Sequence, residues 1–293
     1  MTPPVPQADP GHGASAPDPT RHGGAVVTGA GRGLGREIAG LLAARGHHVV
    51  VTDVEADLAA ATAAEIGPRA TALTVDVRDR DQIDRARDAA IAQAGVLEVW
   101  VNNAGVLLTG PAWEQDESTH RLMLDVNTLG TINGTVSAIE AMRTQHSPGH
   151  IINIASLAGL TAVPGEAVYA ASKHAVMGFS LSTAADLRLA GVSNIDLSCI
   201  CPDGIWTPML HDKLDDPASA LSFSGTLLQP ADVVAAVARV LDRPRLVTTL
   251  PRWRGALARI ADAFPRIGLR AAPLVVAQGR RAQTTLRSRK VTR

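Results

Sequence analysis

Apolar residues follow two alternating rhythms along this chain. Short, nearly continuous apolar runs stand at 24–30 (GAVVTGA), 47–53 (HHVVVTD), 70–77 (ATALTVDV), 97–105 (LEVWVNNAG), 150–156 (HIINIAS), 193–200 (SNIDLSCI) and 245–250 (RLVTTL). Their length and β-branched content read as strands, and a run such as HVVV, with no polar alternation, fits a strand covered on both faces. Between them, 34–45, 56–66, 80–94, 117–145, 166–190 and 230–242 carry apolar residues at helical spacing, with Gly46, Gly95 and Gly191 as terminators. Strands alternating with helices in this way imply right-handed crossovers. The expectation is an α/β, doubly wound parallel sheet, Rossmann-like, of seven strands with helices on both faces, spanning 23–250. Such sheets bind ligands beyond the carboxyl ends of their strands. No internal repeat is visible.

Composition adds detail to that frame. Hydrophobic residues make up 46% and charged residues 19% of the chain, in keeping with a soluble globular protein. Formal net charge is zero but unevenly spread. From Pro251 onward there are 11 Lys and Arg against one acid, and the first 250 residues hold 17 bases and 27 acids. An acidic body gives no support for a nucleic-acid surface. Within the basic extension 251–293, Trp253, Leu257, Ile260 and Phe264 recur at helical spacing with arginines between them. Two readings stay open: an interfacial helix drawn to anionic lipid, giving peripheral membrane contact, or a segment packed on the acidic body or a neighbouring subunit, which is preferred. Residues 1–22, rich in Pro, Ala, Gly and Asp, are expected to be disordered and lack the features of a secretory signal. The longest uncharged stretch, 144–165, contains Pro148, Asn153 and Pro164 and does not read as a membrane span. Cys199 and Cys201 fall on an expected strand with their side chains read as pointing to opposite faces, which argues against a disulfide and for a reducing cytoplasm.

The first strand runs into VVTGAGRGLGREIAGLLAARG, a strand, glycine turn and helix. Gly29, Gly31, Gly33 and Gly35 allow the backbone to approach a ligand closely, and the helix opening near Leu34 would aim its N–H groups at a pyrophosphate. The spacing is Thr28-Gly29-x-x-x-Gly33-x-Gly35, neither the G-x-G-x-x-G fingerprint nor a P-loop. Asp53 ends the second strand, where an acid accepts hydrogen bonds from an adenosine ribose. At about 4 Å and an effective dielectric near 20, its charge would repel each unit of a 2′-phosphate by roughly 4 kcal/mol, favouring NAD over NADP. Arg32, whose guanidinium could hold that phosphate, pulls the other way.

The chain has one tyrosine, in AVYAASKHAV. Tyr169 and Lys173 stand at i and i+4, on one helix face. A free phenol titrates near pH 10, and lowering it to about 7 takes roughly 4 kcal/mol of differential stabilisation, expected here from the Lys173 ammonium and a positively charged nicotinamide. Ser156, at a strand's carboxyl end, is placed to hydrogen-bond a substrate oxygen. With the glycine turn, Asn102-Asn103-Ala104-Gly105, the helix residue Asn127, Ser156 and Tyr169-x-x-x-Lys173 in order, the chain resembles the short-chain dehydrogenase/reductase family over essentially all of 23–250.

That resemblance implies a catalytic set of Asn127, Ser156, Tyr169 and Lys173, with Asn127 holding a proton-relaying water and Lys173 also bonding the nicotinamide ribose. It implies a cofactor site formed by Gly29, Arg32, Gly33, Leu34, Gly35, Asp53, Asp76, Val77, Asn103, Gly105, Tyr169, Lys173, Pro202, Ile205 and Thr207. Asp76 resembles the family's adenine-contacting acid, and pairing through 117–145 and 166–190 would make a homodimer or homotetramer. One departure stands out. Where the family has Pro-Gly after the sixth strand, this chain has Pro202-Asp203-Gly204, and Asp203 reads as a turn residue tolerant of positive φ or as an extra polar substrate contact. Residues 208–228 should form a lid, and Trp206, Met209, Leu210, Leu214 and Phe223, facing Leu157, Leu160 and Val163, suggest an apolar pocket. The expected reaction is NAD-dependent interconversion of a hydrophobic secondary alcohol and its ketone. The alternatives are NADP dependence, or a nucleotide-sensing or scaffolding protein without turnover. The nine histidines show no ligand spacing, and no metal is expected.

Overall fold

The computed structural model describes residues 22–291. The expected disorder of 1–22 therefore lies outside the described residues, save for His22, whose ring stacks 4.8 Å from that of His47. Seven strands form one parallel sheet: β1 (Gly24–Val27), β2 (His48–Asp53), β3 (Ala70–Thr74), β4 (Leu97–Asn102), β5 (Gly149–Ile154), β6 (Ile195–Pro202) and β7 (Val247–Leu250). Their order is β3-β2-β1-β4-β5-β6-β7, the doubly wound Rossmann-like arrangement expected from the sequence. The order reverses at β1, which pairs with β2 on one side and β4 on the other, and this reversal opens a crevice at the strands' carboxyl ends.

Both sheet faces are buried, for a reason visible residue by residue. Ala25, Val27, Val49, Val51, Val99 and Val101 point to one side, against α1 (Gly33–Ala44), α2 (Ala56–Ile66) and, later in the chain, the helix 230–242. Val26, Val50 and Trp100 point to the other, against α3 (Arg80–Ala94) and the helices 130–142 and 167–189. Positions in the central strands thus lose water whichever way they face, worth about 1.5–3 kcal/mol per large apolar side chain, which is why those runs read as continuous rather than alternating.

Two differences from the sequence expectations bear on the site. The long helix 117–145 is three pieces: α4 (Glu117–Leu124), a π-helical turn at Asp125–Leu129, and α5 (Gly130–Met142). The wide turn carries Asn127 into the interior, where it is fully buried. Cys199 and Cys201 do not turn to opposite faces. Residues two apart on a strand share a face, and both thiols lie on the Met177 sulfur of α6 (Ala167–Leu189), 3.2 and 3.3 Å away. Both are free.

After β6 come α7 (Pro208–His211), a 3-10 segment Pro217–Phe223 and α8 (Pro230–Asp242). Beyond β7 the chain continues into α9 (Arg252–Ala263) and α10 (Pro265–Val291). α10 lies against the 217–223 segment so closely that a Cβ on Gly279 would fall 1.8 Å from the Ala220 carbonyl oxygen. Gln283, buried there, donates to Asp216 O and Ser219 Oγ at 2.9 and 3.0 Å, and Arg287 pairs with Asp215 at 2.7 Å. The packing reading of the extension thus holds for this part of α10. Among the described residues no helix is long and apolar enough to cross a membrane.

Candidate active site

The β1–α1 turn is built by glycine and stapled to β4. Gly29 and Gly33 have φ of +60° and +57°, a region that side chains resist. A Cβ on Gly35 would lie 2.2 Å from the Gly29 oxygen and 2.5 Å from Asn103 Nδ2. Asn103 Nδ2 donates to the carbonyls of Thr28 and Gly29, 3.0 Å each, while the Asn103 and Ala104 amides donate to Thr28 Oγ1. Asp53 Oδ2 accepts from the Gly31 amide at 3.0 Å. No side chain caps α1 and no acid stands in its first turn, so its leading amides remain available to an anion.

From this turn a cavity of about 1040 Å³ runs along the carboxyl end of the sheet. Of the residues picked out in the sequence, Gly29, Arg32, Gly33, Leu34, Asp53, Asp76, Val77, Asn103, Gly105, Ser156, Tyr169, Lys173, Pro202, Ile205 and Thr207 line it. Gly35 and Asn127 do not: the first packs behind the turn, and the second is locked in the interior. Asp76 enters already paired, since the Arg78 guanidinium donates to both of its carboxylate oxygens at 2.5–2.9 Å and holds its carboxyl below the usual range.

At the other end stand the polar groups around the phenol. Tyr169, half-buried on α6, stands beside Ser156, whose Oγ accepts from the Ala158 amide at 3.1 Å. Lys173 is buried, donates to Ile154 O at 3.0 Å, and has its Nζ 5.8 Å from the Tyr169 ring centre. Burial lowers that ammonium to about 8. The expectation of a phenol drawn down by Lys173 therefore fails for the protein by itself. Desolvation and the nearby Glu166 carboxylate push Tyr169 up, with only Ser156 opposing them. Asn127 acts as a clamp: Oδ1 accepts from the Val106 amide at 2.7 Å, and Nδ2 donates to Val106 O and to Ser172 Oγ at 3.0 Å each. Its side chain ties the loop after β4 to α6.

The substrate end differs from the expectation in several places. Leu157, Val163, Met209 and Leu210 line the cavity. Trp206, Leu214 and Phe223 instead pack beneath α10 with Ala282 and Leu286, because the extension gives them a core to fill, and Leu160 joins the cluster around Cys199. The outer wall comes from Trp253, Leu257 and Ile260 of α9 with Ile267 and Leu269 of α10, which the sequence did not assign to the site. Asp203 is not at positive φ; among the described residues only glycines are. It forms a mostly buried ion pair with Arg254 of α9 at 2.6 Å. Glu166, also missed, lines the cavity almost wholly buried, accepts from Ser222 Oγ at 2.6 Å, and is pushed up to about 7 by burial. Its only sequence signal was an acid three places before the tyrosine. At the far end of the sheet His22, His47 and Glu98 come together. His47 Nδ1 already lies 3.1 Å from the Gly23 carbonyl oxygen, which fits a hydrogen-bonded histidine.

A glycine-built crevice, a buried lysine and a tyrosine beside a strand-end serine, all lining one cavity, are the site of a nicotinamide-dependent oxidoreductase. Residues 24–218 match the short chain dehydrogenase family, and the chain belongs to that family. It is 36% identical to cyclopentanol dehydrogenase of Comamonas testosteroni over 72% of this chain and 86% of that protein. It is also 36% identical to the sex determination protein tasselseed-2 of Zea mays over 68% of this chain and 62% of that protein, less than two thirds of its length. Among solved structures, a short chain dehydrogenase/reductase from Burkholderia phymatum in complex with NAD superposes with a TM-score of 0.77 at 27% identity, covering 85% of this chain and 96% of that one. The protein is thus a dehydrogenase acting on CH–OH donors with an NAD(P) cofactor.

Proposed function

We propose that the protein interconverts an apolar secondary alcohol and its ketone with NAD, using Tyr169 as general acid/base. The observation that carries this reading is the single cavity shared by the glycine turn, Ser156, Tyr169 and Lys173. Bound at the turn, a nicotinamide dinucleotide supplies the hydride acceptor or donor. Gly29, Gly33 and the α1 amides would hold its pyrophosphate, Asp53 the adenosine ribose, and Ile205 and Thr207, after Pro202, the nicotinamide end, while Asn103 and Gly105 would shape the floor of the cofactor site. Tyr169 moves a proton to or from the substrate oxygen, and Ser156 bonds that oxygen as charge shifts onto it. Lys173, whose Nζ lies 5.8 Å from the Tyr169 ring centre, would bond the nicotinamide ribose. Asn127 positions α6 and the loop after β4.

Asp53 supports NAD, since its carboxylate is fixed at the end of β2 where a 2′-phosphate would meet it. NADP remains the second reading, favoured by Arg32 and Arg78 on the same stretch of cavity. The apolar substrate class is supported by Leu157, Val163, Leu210, Trp253 and Leu257 in the walls. It is supported too by the alcohol named for the Comamonas relative. Pairing through α4, α5 and α6, which expose Leu124 and Leu181, belongs to the same reading as the basis of a dimer or tetramer.

The test follows reduced-cofactor absorbance across a panel of apolar secondary alcohols and ketones, with NAD and NADP in parallel. Turnover with NAD is expected. Tyr169→Phe should lower kcat by about 10²–10⁴-fold or more while NAD affinity, read by calorimetry, stays unchanged. Undiminished turnover in that variant would defeat the assignment. NAD binding with no turnover of any substrate would favour a nucleotide sensor.

A further inference from the structure

The outward side of α9 and the start of α10 is apolar, cationic and continuous with the mouth of the Tyr169 cavity. α9 sits on β7 through its small residues: a Cβ on Gly255 would fall 2.3 Å from the Thr249 side chain, and Ala258 is buried. That seat leaves Trp253, Leu257 and Ile260 at 62, 55 and 56% exposure while they border the cavity. Ile267 and Leu269 of α10 border it as well, at 65 and 61%, and Phe264 between the two helices is also exposed. Arg252, Arg259, Arg266 and Arg270 are exposed on the same stretch, and Asp262 is its single acid. Farther along, α10 is anchored on the 213–220 region through Gln283 and Arg287. The hairpin is therefore held from one side and bare on the other.

We propose that this bare face docks on the surface of an anionic phospholipid bilayer, and that the site exchanges its apolar alcohol or ketone with that surface; the second half rests on the function proposed above. Three observations favour a bilayer over other occupants. Large apolar side chains gathered at one cavity mouth exceed the scattered exposure normal for a soluble surface. Arginines beside them with one acid present match the charge of anionic headgroups. A protein seated here, including a second copy of this chain, would cover the cavity mouth, whereas a bilayer would bring a reservoir of apolar molecules to it. Since no described helix is suited to crossing a membrane, the contact is superficial.

The experiment floats the full chain with vesicles containing phosphatidylglycerol and with vesicles of phosphatidylcholine alone, at low and high salt. Expected is binding to the anionic vesicles, weakened by salt. Trp253→Ser combined with Leu257→Ser and Phe264→Ser should lower the partition coefficient about tenfold or more. Arg266→Gln with Arg270→Gln should lower it about fivefold for each arginine removed. Thermal melting confirms that each variant folds, and light scattering reports its mass. No binding by the folded wild-type chain overturns the proposal, as does equal binding by both folded variants. A fall in assembly mass in the apolar variant without vesicle binding by the wild type would assign the face to a second copy. Vesicle binding needs no turnover, so it stands or falls apart from the alcohol and ketone screen. Exchange with the surface is read separately: anionic vesicles should lower KM for a long-chain ketone in the wild type, and an unchanged KM would remove that half.

Discussion

Glu166 shows what the fold does to a single residue. Its carboxyl is almost wholly buried, and desolvation is the largest of the effects raising it to about 7; the Ser222 hydrogen bond and Lys213 oppose, while Asp216 and Asp203 add to the rise. Because the folded value lies above the unfolded one, folding favours the protonated acid. That contribution is complete below about pH 4.5 and is lost as pH rises through about 7, costing roughly 3 kcal/mol above it. Glu166→Gln keeps an acceptor for Ser222 and removes the titration. It should leave the melting temperature near the wild-type value at pH 4.5 and raise it at pH 8. A difference independent of pH would contradict this account. The carboxylate also raises Tyr169, so the same variant should shift the phenol's limb of the rate profile, basic for ketone reduction and acidic for alcohol oxidation, to lower pH. None of this was readable from the neighbouring letters, because the sequence does not say which side of α6 meets Ser222.

Among elements, α9 gives the site its outer wall and Asp203 its partner. Asp203, where the family carries glycine, would be a poorly solvated carboxylate at the end of β6, and Arg254 reaches it from α9 while also donating to Ser224 Oγ at 3.2 Å. The sequence offered a turn residue or a substrate contact for Asp203; the actual partner lies 51 positions away in the chain. Removing one member of such a pair leaves the other buried without compensation. Arg254→Ala should therefore cost about 3–5 kcal/mol in denaturant unfolding, and adding Asp203→Asn should recover much of it. Strict additivity of the two losses would show that the groups act independently. The π turn between α4 and α5 was missed for a related reason. A polar residue within a helical pattern marks no break until its side chain is seen bonding Val106 and Ser172.

At the scale of the whole molecule, the acidic body and basic extension are parts of one structure: Arg287 and Gln283 fasten the extension to the segment 214–219, which leads into the cavity-lining Leu221 and Ser222. Truncation at residue 250 would therefore strip the outer wall from the site and uncover Leu214 and Phe223, so point variants are the better probe. Pairing through α4 to α6 predicts a light-scattering mass of two or four chains. Leu181→Glu should reduce that mass without weakening NAD binding, and an unchanged mass would place the interface elsewhere. The sequence alone determined the seven strands, their crossovers, the glycine turn and the order of Asn127, Ser156, Tyr169 and Lys173. Those depend on local pattern: continuous apolar runs, period 3.6, and residue types suited to positive φ or to acid/base chemistry. Tertiary structure alone decided how Lys173 sits relative to the phenol, that Glu166 is buried, that Asp203 meets Arg254, and that the extension walls the cavity. These depend on desolvation and on contacts between distant segments, which residue spacing does not encode.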